Sequence, residues 1–201
     1  LYDWIADLSN HCKTTLVSVE EFINRMTPYL EEGKDILYIG CSSALTGTMN
    51  VFNIVKEELL EKYPDRRIVG IDSLTASMNL GLLVALAAKE QQKGLDLDQM
   101  IQWVEDNKFK VNQIAGVETL TYLRAAGRVK ASAAFFGNII GIKPLFISDR
   151  KGNNLVVQKV RGSQKMLEAV FEAVKEKIHK DKCDTVYLCH GRALATAEKL
   201  K

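Results

Sequence analysis

Residues 36–71 spell a strand, a loop rich in hydroxyls, a helix and a second strand, and no other stretch narrows the fold so far. Ile36-Leu37-Tyr38-Ile39 is a short apolar run of the kind a buried strand makes. Beyond the loop, Met49, Phe52, Val55 and Leu59 recur at helical spacing, and residues 67–71 return to a strand with Asp72-Ser73 at its carboxyl end. The alternation continues on both sides. Ser18-Val19-Glu20-Glu21 is a capping box that opens a helix running to about Leu30 and ending at Gly33. Residues 76–92 form a small-residue helix stopped by Lys93-Gly94, and residues 96–107 a further amphipathic one. Strand and helix in alternation predict a parallel sheet flanked by helices.

Near residue 110 the pattern changes. Residues 111–117 read as a strand, Leu120-Thr121-Tyr122-Leu123 as a helical turn, and Ala125-Ala126-Gly127-Arg128 as a glycine-marked break. Residues 131–140, small and apolar, predict a buried helix. Lys143-Pro144-Leu145-Phe146-Ile147 and residues 154–160 flank Asp149-Arg150-Lys151-Gly152-Asn153, the signature of a hairpin with a longer loop. Residues 163–178 make a patterned helix with Leu167, Val170, Phe171 and Val174 inward. Residues 185–189 read as a last strand, and residues 193–201 begin another helix. The expected fold class is α/β with two α/β domains, a parallel-sheet domain over residues 1–110 and a mixed-sheet domain over residues 111–201. Leu1 is not Met and the last helix has no C-cap, so both ends read as cut.

Composition removes several classes of function. The 27 basic residues are scattered and the net charge is +2, without the clustered stripe that nucleic acid demands. No window approaches eighteen consecutive apolar residues, so no membrane span is expected, and the first residues lack the basic and apolar regions of a secretory signal. The four cysteines, Cys12, Cys41, Cys183 and Cys189, contain no C-x-x-C pair, so neither a metal site nor a disulfide framework is expected. They read as free thiols in a reducing cytoplasm.

The loop Ser42-Ser43-Ala44-Leu45-Thr46-Gly47-Thr48 is the foremost candidate site. Ligands of open α/β sheets settle beyond the carboxyl ends of the strands, where a helix N-terminus offers unpaired N–H groups. Ser42, Ser43, Thr46 and Thr48 add neutral hydroxyls, and Gly47 lets a ligand approach the backbone. A small anionic headgroup suits such a site without any basic side chain. The plainer alternative is ordinary N-capping by a Ser/Thr-rich loop. The loop is not a P-loop, because no Lys follows the glycine. A serine nucleophile would need an oriented base; of His11, His179 and His190, only His190 follows a strand end, and no G-x-S-x-G elbow is present. Gly127-Arg128 and Arg161-Gly162 each set an arginine fork on glycine-exposed backbone, suited to carboxylate or phosphate. Lys13-Thr14-Thr15 precedes the capped helix.

Taken together these segments resemble the DegV family of bacterial lipid-binding proteins. Tyr2-Asp3-Trp4 with Lys13-Thr14-Thr15-Leu16-Val17-Ser18 is similar to the family's segment ending in Thr-Ser-Gln-Pro-Ser, and residues 42–48 to its Ser-Ser-Gly-Leu-Ser-Gly-Thr loop. Asp72-Ser73, residues 120–128, Ile142-Lys143-Pro144 and Val160-Arg161-Gly162 match further family elements in order and spacing. The resemblance implies two α/β domains with a fatty acid between them, its carboxylate held by hydroxyls and its acyl chain in an apolar tunnel. By carry-over the carboxylate meets Thr14, Thr15, Ser42 and Ser43, with Thr46 and Gly47 in the same loop. Arg128 and Arg161 match arginines near the headgroup, where they steady an acyl-phosphate or touch a partner. The family's best-understood members are the binding subunits of a fatty acid kinase, handing the carboxylate to a separate ATP-dependent kinase subunit. The resemblance therefore implies a cytoplasmic carrier with no cofactor other than its bound fatty acid and no catalytic residue of its own. A serine-dependent hydrolase or transferase, or a ligand sensor, is the alternative. Apolar residues 80–86 and 131–142 are either tunnel wall or plain core.

The departures from the family are specific. Thr15 stands where Ser is usual, Leu16-Val17 replaces Gln-Pro, and Ala126 replaces the first glycine before Arg128. The family's first strand, with its Asp-Ser, and its C-terminal stretch, with a His near the headgroup, have no counterpart here.

Overall fold

The computed structural model describes residues 2–7, 10, 14–119, 121–128, 141–179, 181 and 186–200. In chain order these form α1 (Tyr2–Ala6), α2 (Val19–Glu31), β1 (Ile36–Gly40), α3 (Thr48–Lys62), β2 (Ile68–Asp72), α4 (Ser77–Gln92), α5 (Leu97–Asn107), β3 (Ile114–Gly116), α6 (Thr121–Ala125), β4 (Ile142–Ser148), β5 (Asn154–Arg161), α7 (Ser163–Lys177) and α8 (Leu194–Glu198). The chain divides into two compact units. One holds residues 16–113 with residues 148–154, and the other residues 1–15, 114–147 and 155–201.

In the first unit β1 and β2 pair in parallel, Ile36 opposite Ile68 and Gly40 opposite Asp72. Successive strand side chains point to opposite faces, and each face has its own helix pair. Ile36 and Tyr38 pack with Phe22, Met26 and Leu30 of α2 and with Met49, Phe52, Val55 and Leu59 of α3. Leu37 and Ile39 join Ile71, with Leu83 and Ala87 of α4 and Met100 and Val104 of α5. The helical spacing read in residues 49–59 is thus the buried stripe of α3. The strands admit α3 closely because two of their positions are glycine: a Cβ at Gly40 would lie 2.2 Å from Met49 Sδ, and one at Gly70 2.3 Å from Phe52 Cε1. Phe52 stacks on Tyr38 at 4.5 Å between ring centroids, and Phe22 meets both rings edge-on. Ser18 caps α2 as the sequence indicates, and a second cap, at Asp96, was not read from it. Ser18 Oγ accepts from Glu21 N, and Asp96 with Gln99 forms a full capping box on α5.

The second unit is built on the sheet β3-β4-β5, in which β3 and β4 are antiparallel with Ala115 opposite Phe146. Its described strands form an antiparallel sheet where a mixed one is expected. The strand expected at residues 185–189 is not formed by residues 186–189, which are irregular and exposed, and Thr185 lies outside the described residues. Leu145, Phe146 and Val156 are buried with Met166 and Leu167 of α7. The inward stripe of α7 needs one correction: Phe171 is 53% exposed. A Cβ at Gly116 would lie 2.7 Å from Met166 Cγ, so the glycine makes room for Met166. The stripe then centres on Met166, Val170 and Val174, and Phe171 falls at its rim. Glu118, two residues past β3, links β4 and α7, accepting from Lys143 Nζ of β4 and, at 2.9 Å, from Ser163 Oγ at the start of α7. The helix expected at residues 131–140 lies outside the described residues, as do His11, Cys12, Lys13 and Cys183.

Candidate functional site

The loop at the carboxyl end of β1 is organised around Ser42, which is wholly buried. Its N–H donates to Thr75 O at 2.8 Å, and its carbonyl accepts from Leu45 N and Thr46 N at 3.0 and 3.1 Å. Its hydroxyl accepts from Ala44 N at 3.2 Å and donates to Gly152 O at 2.8 Å. All of its polar groups are spent on the protein, as buried polar groups require. Behind it lies a second polar layer. Ser73 Oγ accepts from Thr75 N, and Asn79 Nδ2 donates to Thr75 Oγ1 at 2.7 Å and to Val111 O at 3.3 Å.

Ser43, one residue on, is exposed. Its N–H donates to the carboxylate of Asp72 at 3.2 Å, and the same carboxylate accepts from Leu74 N at 2.9 Å. Asp72 thereby holds the two loops that leave the ends of β1 and β2. Thr46, half-buried, shares a 2.9 Å hydrogen bond with Thr48 Oγ1 and accepts from Thr48 N at 3.3 Å, so it caps α3 through a side chain while Gly47, the formal N-cap, has none. A Cβ at Gly47 would touch only the methyls of Leu16, at 3.5 and 3.7 Å, and its φ of −80° suits any residue. Of the loop's four hydroxyls, then, Ser42 and Thr48 are buried in the fold, Thr46 is committed to capping, and Ser43 faces outward.

The charges around the loop oppose one another. The N-terminus of α3 brings partial positive charge, whereas Asp72 brings a carboxylate to the back of Ser43. Cys41, half-buried at the start of the loop, has its thiol pKa raised by burial, with the Ser42 backbone hydrogen bond opposing and the charge of Asp72 reinforcing. Burial likewise raises Tyr38. Among the described residues no group of His, Cys, Asp and Glu side chains is arranged to hold a metal ion.

The helix tied to this loop through Thr75 is apolar on both sides. Leu83 and Ala87 of α4 face the core, whereas Met78 (39%) and Val84 (42%) are exposed, with Gly81 and Ala88 on the same outward side. Among residues 80–86, Leu83 is therefore core and Val84 is not.

Thr14, Thr15, Arg128 and Arg161 belong to the other unit. Thr14 and Thr15 are exposed in an irregular segment. Arg128, also exposed, follows α6; its backbone N–H donates to Leu123 O at 3.0 Å and its guanidinium to Ala126 O. Arg161 is the exposed last residue of β5. One residue central to the loop is absent from the sequence-based set: Gly152. Its glycine reads only as a turn position, and its pairing with Ser42 spans 110 residues.

The family described as "Uncharacterised protein, DegV family" matches residues 1–201. The DegV domain-containing protein CPE0026 of Clostridium perfringens is 35% identical over 187 residues, covering 93% of this chain, and the chain spans 64% of that protein's length. Among solved structures, a DegV lipid binding protein from Thermotoga maritima is 28% identical with a TM-score of 0.75, over 89% of this chain and 60% of its own. The fatty acid binding DegV family protein SAG1342 from Streptococcus agalactiae is 27% identical with a TM-score of 0.81, over 99% of this chain and 69% of its own.

Proposed function

The chain belongs to the DegV family, and from that premise we propose that it binds a long-chain fatty acid and presents the carboxylate to a separate ATP-dependent kinase subunit in the cytoplasm. One observation carries the reading: an exposed hydroxyl, Ser43, stands at the loop before α3, and the helix tied to that loop turns apolar side chains outward. A polar contact beside uncovered hydrocarbon suits a ligand with a small polar head and a long apolar tail. The lipid and fatty acid binding of the Thermotoga and Streptococcus proteins supports the same ligand class.

In this reading Ser43 meets the carboxylate, with Gly47 in the same loop. Ser42 is the structural member of the pair. Asp72 repels an anion at Ser43 and the N-terminus of α3 attracts it; Thr14, Thr15, Arg128 and Arg161 are headgroup contacts in this proposal on the family resemblance alone. The chain is a carrier and contributes no catalytic group. Ser42 is unsuited to nucleophilic attack, since its buried hydroxyl donates to a backbone carbonyl.

Native mass spectrometry of the purified protein, followed by oleate titration, tests this. A co-purified fatty acid is expected, and Ser43→Ala and Thr15→Ala should each weaken oleate binding about tenfold, the loss of roughly one charge-assisted hydrogen bond, with the denaturation midpoint unchanged. Unaltered affinity in both variants would reject the headgroup assignment. Labelling of Ser43 by a fluorophosphonate would support the hydrolase instead.

A further inference from the structure

We infer that Gly152, in the β4–β5 hairpin loop, is a positioning residue of the headgroup loop: its carbonyl holds the Ser42 hydroxyl and so sets the turn that presents Ser43. The inference rests on the carrier reading only in giving Ser43 a ligand to meet; the placement of the loop stands on geometry alone.

The hairpin tip is built to place that carbonyl. Asp149 N donates to Asn153 O at 2.9 Å and Gly152 N to Asp149 O at 3.0 Å, which closes the loop. The Asp149 carboxylate accepts from Lys151 N at 2.8 Å, from Asn153 N at 2.9 Å, and from the side-chain amide of Asn153. Side chains that accept from backbone N–H groups two and four residues on fix a turn from within. Asn153 is itself buried, as is Gly152.

Two features make glycine necessary at position 152. Its φ is +77°, a left-handed conformation that costs other residues about 1 kcal/mol. A Cβ there would lie 2.0 Å from Ser42 Oγ, 3.1 Å from Ser42 Cβ and 3.1 Å from Leu74 Cα. The second of these acts on the headgroup loop directly, because the tightest contact is with the Ser42 side chain. Any residue larger than glycine at 152 pushes Ser42 away, and Ser42 carries the amides of Ala44, Leu45 and Thr46 with it.

The experiment uses the whole chain and reads two things: oleate affinity, and amide hydrogen exchange without ligand. Gly152→Ala should lower oleate affinity at least tenfold and speed exchange selectively at residues 43–46. Gly152→Asn should do the same, because Asn tolerates positive φ yet keeps the Cβ. Ser42→Ala, which removes the hydroxyl and leaves position 152 as glycine, should speed exchange at the same residues 43–46, because it breaks the same hydrogen bond from the other end. If Gly152→Ala leaves that exchange unchanged, or speeds β1 and β2 equally, the positioning role is overturned. If wild-type protein fails to bind oleate while the selective exchange effect of Gly152→Ala and Ser42→Ala persists, the carrier reading fails and the positioning role stands.

Discussion

Replacing Ser42 by Ala removes a hydroxyl that is wholly buried and bonded at both ends, leaving the Gly152 carbonyl and the Ala44 N–H without it. An unsatisfied buried group costs roughly 1–3 kcal/mol, so urea denaturation of Ser42→Ala should show a loss of about that size. Ser43→Ala, at an exposed position, should stay within about 0.5 kcal/mol of wild type. Two adjacent serines that read alike in the sequence thus separate by measurement, one by stability and the other by ligand affinity. Ser42, Ser43, Thr46 and Gly47 lie in the loop that the sequence marks out between β1 and α3. The sequence did not show which hydroxyls are spent. That depends on partners distant along the chain, Gly152 for Ser42 and Thr75 for its amide, and no local spacing encodes them.

At the scale of elements, α3 is held against the sheet by a fit of aromatic ring to glycine. Gly70 lies in mid-strand, where glycine is otherwise unfavourable, and its absent side chain is the space that Phe52 occupies. Gly70→Ala forces overpacking against a ring that is fully buried. A loss of about 1–3 kcal/mol is expected, read as a lower urea midpoint at an unchanged slope. The elements themselves were largely legible. The buried face of α3, the cap at Ser18, and the hairpin around residues 149–153 all follow from periodicity and turn chemistry, which are local. Phe171 was misplaced because the stripe of α7 is set by the room that Gly116 gives Met166, a packing fact with no local signal. The last strand was misread for a related reason: Val186-Tyr187-Leu188 is a strand-like run, yet strand propensity depends on packing against cross-strand neighbours, and among the described residues no strand pairs with it.

For the molecule as a whole, the two tryptophans provide separate reporters, since Trp103 lies in the parallel-sheet unit and Trp4 in the other. The second unit carries an acid-sensitive staple. The hydrogen bond from Lys143 lowers the pKa of Glu118 below its ordinary 4.5, burial opposes the shift, and Ser163 adds to it. A carboxylate with a depressed folded pKa stabilises above its unfolded value, and that stability is lost as pH falls through the folded value. Glu118→Gln should therefore be less stable than wild type above about pH 5, with the difference disappearing in more acid solution. Because the Glu118 side chain is 57% exposed, the loss should be under about 1 kcal/mol. The effect should appear in the Trp4 fluorescence of a Trp103→Phe protein and not in the Trp103 fluorescence of a Trp4→Phe protein.

The hairpin tip also bears on how such a chain can be divided. Residues 148–154 group with a unit whose other members all lie between residues 16 and 113, so no single cut separates the two units cleanly. A fragment ending at residue 113 would open Ser42 to water and leave its loop without the carbonyl that holds it. Any exchange of the parallel-sheet unit between relatives, whether by recombination or by design, must carry two stretches of sequence and not one. Heredity of the headgroup loop is thus discontinuous: its shape is inherited with a hairpin encoded about a hundred residues downstream.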